Sequence, residues 1–282
     1  MKKVLLLGST GKMGLALSKS LKSDYELIGK NSQNFNAFEF DKVKFLINDT
    51  KPDIIINTIA YQGIDQCEAN PNDAFKLNTI FPRILADEAN KNDSLLVHFS
   101  SDSVFNDEKK QLYVESNTPK PLSIYGITKY GGDCIIMSLT QKYYIIRVSI
   151  LFGNSIKKNQ FVEKMLIKIK QGNKSLSIAD DIVLSPTYSD DVAKKLKCLI
   201  QQNMPYGLYH VVNQGKASLY DLMCEIVNKL QLDVKINKAS YLDFPFTGRK
   251  NIYTPVVSEK IEGLRPWKEA VTDYCSQLKF LQ

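Results

Sequence analysis

Four apolar residues, Val4–Leu7, run straight into Gly8-Ser9-Thr10-Gly11-Lys12-Met13-Gly14, and a helical apolar pattern follows over 13–21, with Leu15, Leu17 and Leu21 among its apolar positions. A strand that feeds a helix through a glycine turn leaves few folds open. Glycine lets the turn be tight and the backbone approach a bound group, and the helix start offers free N–H groups to an anion. The spacing is G-x-x-G-x-x-G, not the G-x-G-x-x-G of many dehydrogenases. Its place between strand and helix is what gives it meaning as a dinucleotide turn. Gly8, Thr10, Gly11 and Gly14 are therefore candidate cofactor contacts.

The alternation continues. Apolar strands are expected at 27–28, 54–56, 95–99 and 144–148, with a long helix over 74–90 and another entered after Pro119 and Pro121. Continuous apolar strands alternating with helices imply a parallel sheet covered on both faces, an α/β fold of the Rossmann-type doubly wound class. Beyond about Phe152 the texture changes, to helices over 161–171, 190–201 and 219–230, a strand over 209–212, an irregular stretch 238–265 and a short helix from Pro266. Residues 1–153 read as the dinucleotide-binding domain and 154–282 as mainly a smaller C-terminal substrate-binding lobe, of which about 185–212 rejoins the Rossmann sheet. No linker or repeat separates the two.

Composition narrows the class further. At 44% hydrophobic, 282 residues bury a sizeable core without metal or disulfide staples. The net charge of +7 is spread among interspersed acidic and basic residues, so no nucleic-acid partner is expected. Five scattered cysteines with no C-x-x-C pair suit reduced thiols and argue against a zinc site. Gly8 interrupts the first apolar run after four residues, too soon for a signal peptide. No apolar stretch approaches the roughly 20 residues of a membrane span. The expectation is a cytoplasmic chain with neither metal nor membrane partner.

The chemistry is carried by Tyr125-Gly126-Ile127-Thr128-Lys129, downstream of Ser100-Ser101-Asp102. Residues i and i+4 share a helix face, so Tyr125 and Lys129 project together. An ammonium beside the phenol should pull its pKa below the usual value of about 10 and make it a proton donor near neutral pH. Ser101 follows a strand and can donate to a carbonyl oxygen, polarising it for hydride attack. At the end of the second strand, Lys30-Asn31-Ser32 lacks the acidic residue that binds a ribose 2′-OH, so NADP(H) is preferred over NAD(H). Thr58, Ala60 and Tyr61 close the third strand at the cofactor cleft, Phe99 ends the fourth, and Asn78 is either an ordinary helix residue or a support behind the cofactor site. His98 and His210 lie in apolar strand patterns and suit core or supporting roles rather than catalysis.

Taken together these residues resemble the extended short-chain dehydrogenase/reductase superfamily, and within it the dTDP-4-dehydrorhamnose reductase family. The resemblance spans nearly the whole chain: Pro52–Asn57 through Asp65 and Glu68, His98–Phe105, Glu115, Pro121, Tyr125-Gly126, Lys129, Gly132, Ser185-Pro186-Thr187, Tyr209–Asn213 and Pro266-Trp267. It implies an NADPH-dependent reductase of the 4-keto group of a nucleotide-diphosphate-linked 4-keto-6-deoxyhexose, serving deoxysugar and surface polysaccharide biosynthesis. The implied catalytic residues are Ser101, Tyr125 and Lys129. Implied cofactor contacts come from Gly11-Lys12-Met13, Asn31, Glu39-Phe40, Ala60-Tyr61-Gln62 and Lys129. Substrate contacts are expected from Ser101, Asp102, Ser103, Tyr125 and Ile150, and from Arg249, a candidate for bidentate pairing with the diphosphate.

Departures from the family pattern fall on the sugar side. Serine replaces the usual threonine at 101, Ser103 replaces a tyrosine, Ile150 a tryptophan, and Ile182-Val183-Leu184 a Gln-x-Gly stretch. They leave the sugar and nucleotide open. A dehydratase of the same superfamily would want Asp-Glu where Asp102-Ser103 stands, and an epimerase would want a further base; a non-catalytic NADP-binding regulatory subunit would want the triad lost. Exposed helical faces leave room for a homodimer.

Overall fold

The computed structural model describes residues 1–156 and 159–278. Its first half runs β1 (Lys3–Leu7), α1 (Lys12–Leu21), β2 (Glu26–Lys30), α2 (Phe40–Thr50), β3 (Ile54–Asn57), α3 (Ile64–Ala69), α4 (Pro71–Phe75), α5 (Phe81–Lys91), β4 (Leu95–Ser101), α6 (Ile124–Leu139) and β5 (Tyr143–Val148). The second half adds β6 (Leu151–Phe152), α7 (Phe161–Lys170), β7 (Ser175–Ala179), β8 (Val183–Leu184), β9 (Thr187–Tyr188), α8 (Ser189–Gln201) and β10 (Gly207–His210). It closes with β11 (Asn213–Gln214), β12 (Ala217–Ser218), α9 (Leu219–Lys229), β13 (Lys235–Ala239), β14 (Leu264–Pro266) and α10 (Trp267–Gln277).

Six strands form one sheet in the order β10-β5-β4-β3-β1-β2, every pair parallel. Residue alternation explains why its strands are apolar throughout: Val4 and Leu6 pack with α1 and α8 on one face, Leu5 and Leu7 with α2 and α5 on the other. Each of these fully buried side chains contributes about 1.5–3 kcal/mol. A further core is drawn from the later part of the chain and holds Val162, Leu166, Ile178, Ile226, Val271 and Trp267. β10 comes from the second half of the chain yet pairs with β5, tying the two parts into one sheet.

Several elements differ from the sequence expectations, α3, β7, β8 and β12 among those not expected. The helix expected over 74–90 is α4 and α5 joined by a π-helical turn, Lys76–Ile80. Pro82 has no N–H to return to the Asn78 carbonyl, and the ladder shifts register just before it. Helix α2 was not expected at all; only Val43 and Ile47 are buried on it, too few for a strong apolar stripe. The stretch expected to be irregular ends in β14, and β13 runs into its start to pair with β7.

Candidate active site

The strand order reverses between β1 and β3, and a crevice opens at the carboxyl ends of strands about such a switch point. Here the glycine turn rises from β1 and the segment 58–62 from β3. Gly8 has φ +89, and a Cβ on Gly14 would overlap the Gly8 carbonyl oxygen, so both positions need glycine for α1 to start this close to the strand. Gly11 caps α1 without a side-chain hydrogen bond, which leaves first-turn N–H groups for an anionic ligand.

The resulting cleft has a volume of about 490 Å3. The turn residues Gly8 and Thr10–Met13 line it, with Asn31, Ser32, Thr58–Gln62, Phe99, Ser100, Tyr125 and Lys129. No acidic side chain lines it among the described residues. Its open backbone cradle, aromatic and apolar walls and lack of carboxylates fit a dinucleotide with an extra phosphate.

Several expected contacts lie elsewhere. Gly14 packs beneath the turn, and Lys30 contributes its carbonyl, which accepts from the N–H groups of Gly8 (2.8 Å) and Ser9 (2.9 Å), rather than its side chain. Glu39 turns to Asn36 and Lys42, and Phe40 packs into the core, so at this place the wall is Asn36, Ala37 and Phe38 instead. Nothing in Asn36-Ala37-Phe38 carries a charge or a motif, so the sequence does not mark these three as wall residues. Lys12 lines the cleft, but its ammonium leaves it, donating to the Leu151 carbonyl (2.8 Å) and pairing with Glu163 of α7 (2.9 Å).

Asn78 is a buried brace behind the cleft. Its amide accepts from Tyr61 N–H (2.8 Å) and donates to the Tyr61 carbonyl (3.0 Å) and to Thr128 Oγ1 (3.0 Å). The π-helical turn that carries it thus holds both the β3 loop and α6 in place.

Tyr125 and Lys129 lie on the first turns of α6, whose N-cap Ser123 accepts from the Gly126 N–H. Lys129 is 1% exposed, and its Nζ donates to the Phe99 carbonyl (2.6 Å) and lies 3.2 Å from His98 Nε2. Burial pulls Lys129 down to about 8, with Asp133 opposing. The lowering expected for Tyr125 is not found. Burial pushes its phenol up, and Asp102, Cys67 and Asp133 add to this, while only Ser101 acts the other way. Lys129 spends its Nζ on β4 instead of on the phenol, which is why the sequence argument fails in this state.

Ser101 Oγ accepts from the Ser103 N–H (3.1 Å) and donates to Asp102 (3.1 Å). Asp102, expected to touch substrate, is turned inward: Ser149 (2.7 Å) and Thr254 (3.2 Å) donate to its other oxygen, and burial raises it to about 6 against these bonds. Ile150, also expected beside the substrate, leans on the core drawn from the later part of the chain. Ser103 is half-buried next to Ser101, and Arg249 is exposed in the 247–250 segment, which Asp65 grips through the Thr247 (3.0 Å) and Gly248 (3.2 Å) N–H groups. A further buried cluster escaped the sequence reading: Asp133 accepts from Ser100 (2.9 Å) and from Arg147 (3.0 Å), bracing α6 against β4 and β5.

The family model described as RmlD substrate binding domain matches residues 1–280. The spore coat polysaccharide biosynthesis protein SpsK of Bacillus subtilis is 32% identical over 98% of both chains. A crystal structure of a dTDP-4-dehydrorhamnose reductase from Clostridium acetobutylicum superposes with a TM-score of 0.91 at 31% identity, covering 97% of this chain and 98% of that one. A second, from Bacillus anthracis in complex with NADP, gives 0.92 at 26% identity, covering 98% and 99%. With a crevice at the sheet's switch point, a Tyr–Lys pair on α6 at its edge and a match along almost its whole length, the chain belongs to the RmlD substrate binding domain family.

Proposed function

We propose that this protein is an NADPH-dependent reductase of the 4-keto group of a nucleotide-diphosphate-linked 4-keto-6-deoxyhexose, working in the cytoplasm in deoxysugar and surface polysaccharide biosynthesis. What supports this reading is that Tyr125 and Lys129 both line the cleft that begins at the glycine turn, with Ser101 hydrogen-bonded to Tyr125. NADPH, when bound in the cleft, would supply the hydride. The first-turn N–H groups of α1 would hold its diphosphate, Asn31 and Ser32 would face the adenosine end, and Lys129 the nicotinamide ribose.

Tyr125 protonates the oxygen that develops negative charge. Its raised pKa keeps it protonated until that charge appears. A Lys129 ammonium one turn further along α6 would then favour the phenolate left behind. Ser101 can rotate its hydroxyl from Asp102 to the same oxygen. Residues 154–282 would supply most of the nucleotide-sugar site, with Ser103 and Arg249 as candidate contacts. Dehydration is disfavoured because Asp102 is held by three hydroxyls and Ser103 follows it, and among the described residues no second acid/base pair faces the cleft.

The test is loss of NADPH absorbance with a panel of nucleotide-linked 4-keto-6-deoxyhexoses. Turnover by wild type and a fall of about 10²–10⁴-fold in Tyr125→Phe are expected. No turnover with any of them, or full turnover by Tyr125→Phe, defeats the reading.

A further inference from the structure

His98 is wholly buried in the middle of β4, and the roles of Ser101, Tyr125 and Lys129 do not call on it. Each ring nitrogen has one neighbour. Nδ1 lies 3.1 Å from Asn57 Nδ2, and Nε2 lies 3.2 Å from Lys129 Nζ. The Asn57 amide cannot be turned round, because its Oδ1 accepts the Ile59 N–H at 3.0 Å and a flip would set donor against donor. Asn57 therefore offers the ring an N–H, and Nδ1 must be the nitrogen with the lone pair.

His98 is neutral, since burial and then the nearby Lys129 hold its pKa well below the usual value. A neutral imidazole carries one N–H. That N–H is on Nε2 and points at Lys129. A lysine nitrogen can receive it only as the free amine; an ammonium there would face donor with donor. The bond from Nζ to the Phe99 carbonyl is open to either form.

We infer that Asn57 and His98 form a positioning pair that presents an N–H to Lys129, favours its free amine over the ammonium, and so sets where activity falls on the alkaline side. The consequence for turnover rests on the ketoreductase reading above; the tautomer does not. The other titratable groups around Lys129 are few. Asp133 and Tyr125 stand on α6, Arg147 of β5 is bonded to Asp133, and Asp102 at the end of β4 and Cys67 of α3 act on Tyr125. Of these Asp133 favours the ammonium, opposite to His98.

The chain has two histidines, and the structure gives them opposite tautomers. His210 Nδ1 lies 3.0 Å from the Val257 carbonyl, which can only accept, so its N–H is on Nδ1. Long-range 1H–15N correlation on the cofactor-free protein at pH 9 reads both directly. One Nε2–H and one Nδ1–H pattern are expected, the former lost in His98→Phe; an Nδ1–H pattern for His98 overturns the inference whatever the enzyme turns over. The second arm is the pH profile of kcat/KM. Asn57→Asp should move the proton to Nδ1, turn the Nε2 lone pair to Lys129, and shift the alkaline limb upward by about one pH unit. Placed in His98→Phe, the same substitution should lose that shift. An equal shift in both backgrounds, or none in either, means the pair does not act through the tautomer.

Discussion

The Lys12 ammonium lies 2.9 Å from Glu163, and this buried pair joins the glycine turn to the first turn of α7. Burial lowers Lys12, and Glu163 beside it supports its charge. Glu163 has no hydrogen-bond partner to fall back on among the described residues.

Lys12→Met should therefore strand a buried carboxylate and destabilise the fold by about 3–5 kcal/mol. Lys12→Met combined with Glu163→Leu should recover most of that loss, because two apolar side chains replace the pair. Urea midpoints of the single and double variants decide the matter. An unshifted midpoint in Lys12→Met would mean that water reaches the pair.

Asn78 makes three hydrogen bonds, two of them to the Tyr61 backbone at the cleft wall. Asn78→Ala leaves a peptide N–H and a carbonyl unpaired, at a cost of about 1–3 kcal/mol. Because Tyr61 lines the cleft, KM for NADPH should rise more than KM for the sugar. Equal changes in both would place Asn78 in the fold alone.

Asp102 carries a pH signature. Burial raises it from its ordinary value to about 6 despite the bonds from Ser149, Ser101 and Thr254. Between about pH 4 and 6 the native state holds a proton that the unfolded state has released, so Asp102's contribution is present below that window and lost as pH rises through it. Asp102→Asn removes this dependence. Its stability relative to wild type should improve as pH climbs from 4 to 6, as read from paired denaturation curves. A difference that stays flat across the window would show that the carboxyl is ionised throughout.

The sheet was legible because buried parallel strands write themselves as apolar runs: Val4–Leu7, Ile54–Ile56 and Leu95–Phe99 all appear in it. The positions of Ser101 at the end of β4 and of Tyr125 and Lys129 on one face of α6 were legible because a strand end and an i, i+4 helical spacing fix them. Their electrostatics were not. Whether Lys129 lowers Tyr125 depends on where its Nζ is bonded, and the Phe99 carbonyl and His98 that claim it are 30 and 31 residues away in sequence. The same limit hid Asp102. A carboxylate after a strand reads as a ligand, whereas its partners Ser149 and Thr254 lie 47 and 152 residues further on.

Cofactor choice turns on the end of β2. Asn31 and Ser32 line the cleft there, and the Asn31 side chain is engaged locally, accepting the Gln33 N–H at 2.8 Å. With no carboxylate in the lining among the described residues, none of these repels a 2′-phosphate or offers a charged acceptor to a ribose 2′-OH. Wild type should therefore favour NADPH over NADH in kcat/KM. Asn31→Asp keeps an oxygen for Gln33 while adding a charge that accepts from the 2′-OH and opposes the phosphate. The NADPH/NADH ratio should fall by about 10–100-fold, the equivalent of about 1.4–3 kcal/mol, mostly through a higher KM for NADPH. If the ratio holds in Asn31→Asp, or if wild type already favours NADH, the adenosine ribose does not sit against the end of β2.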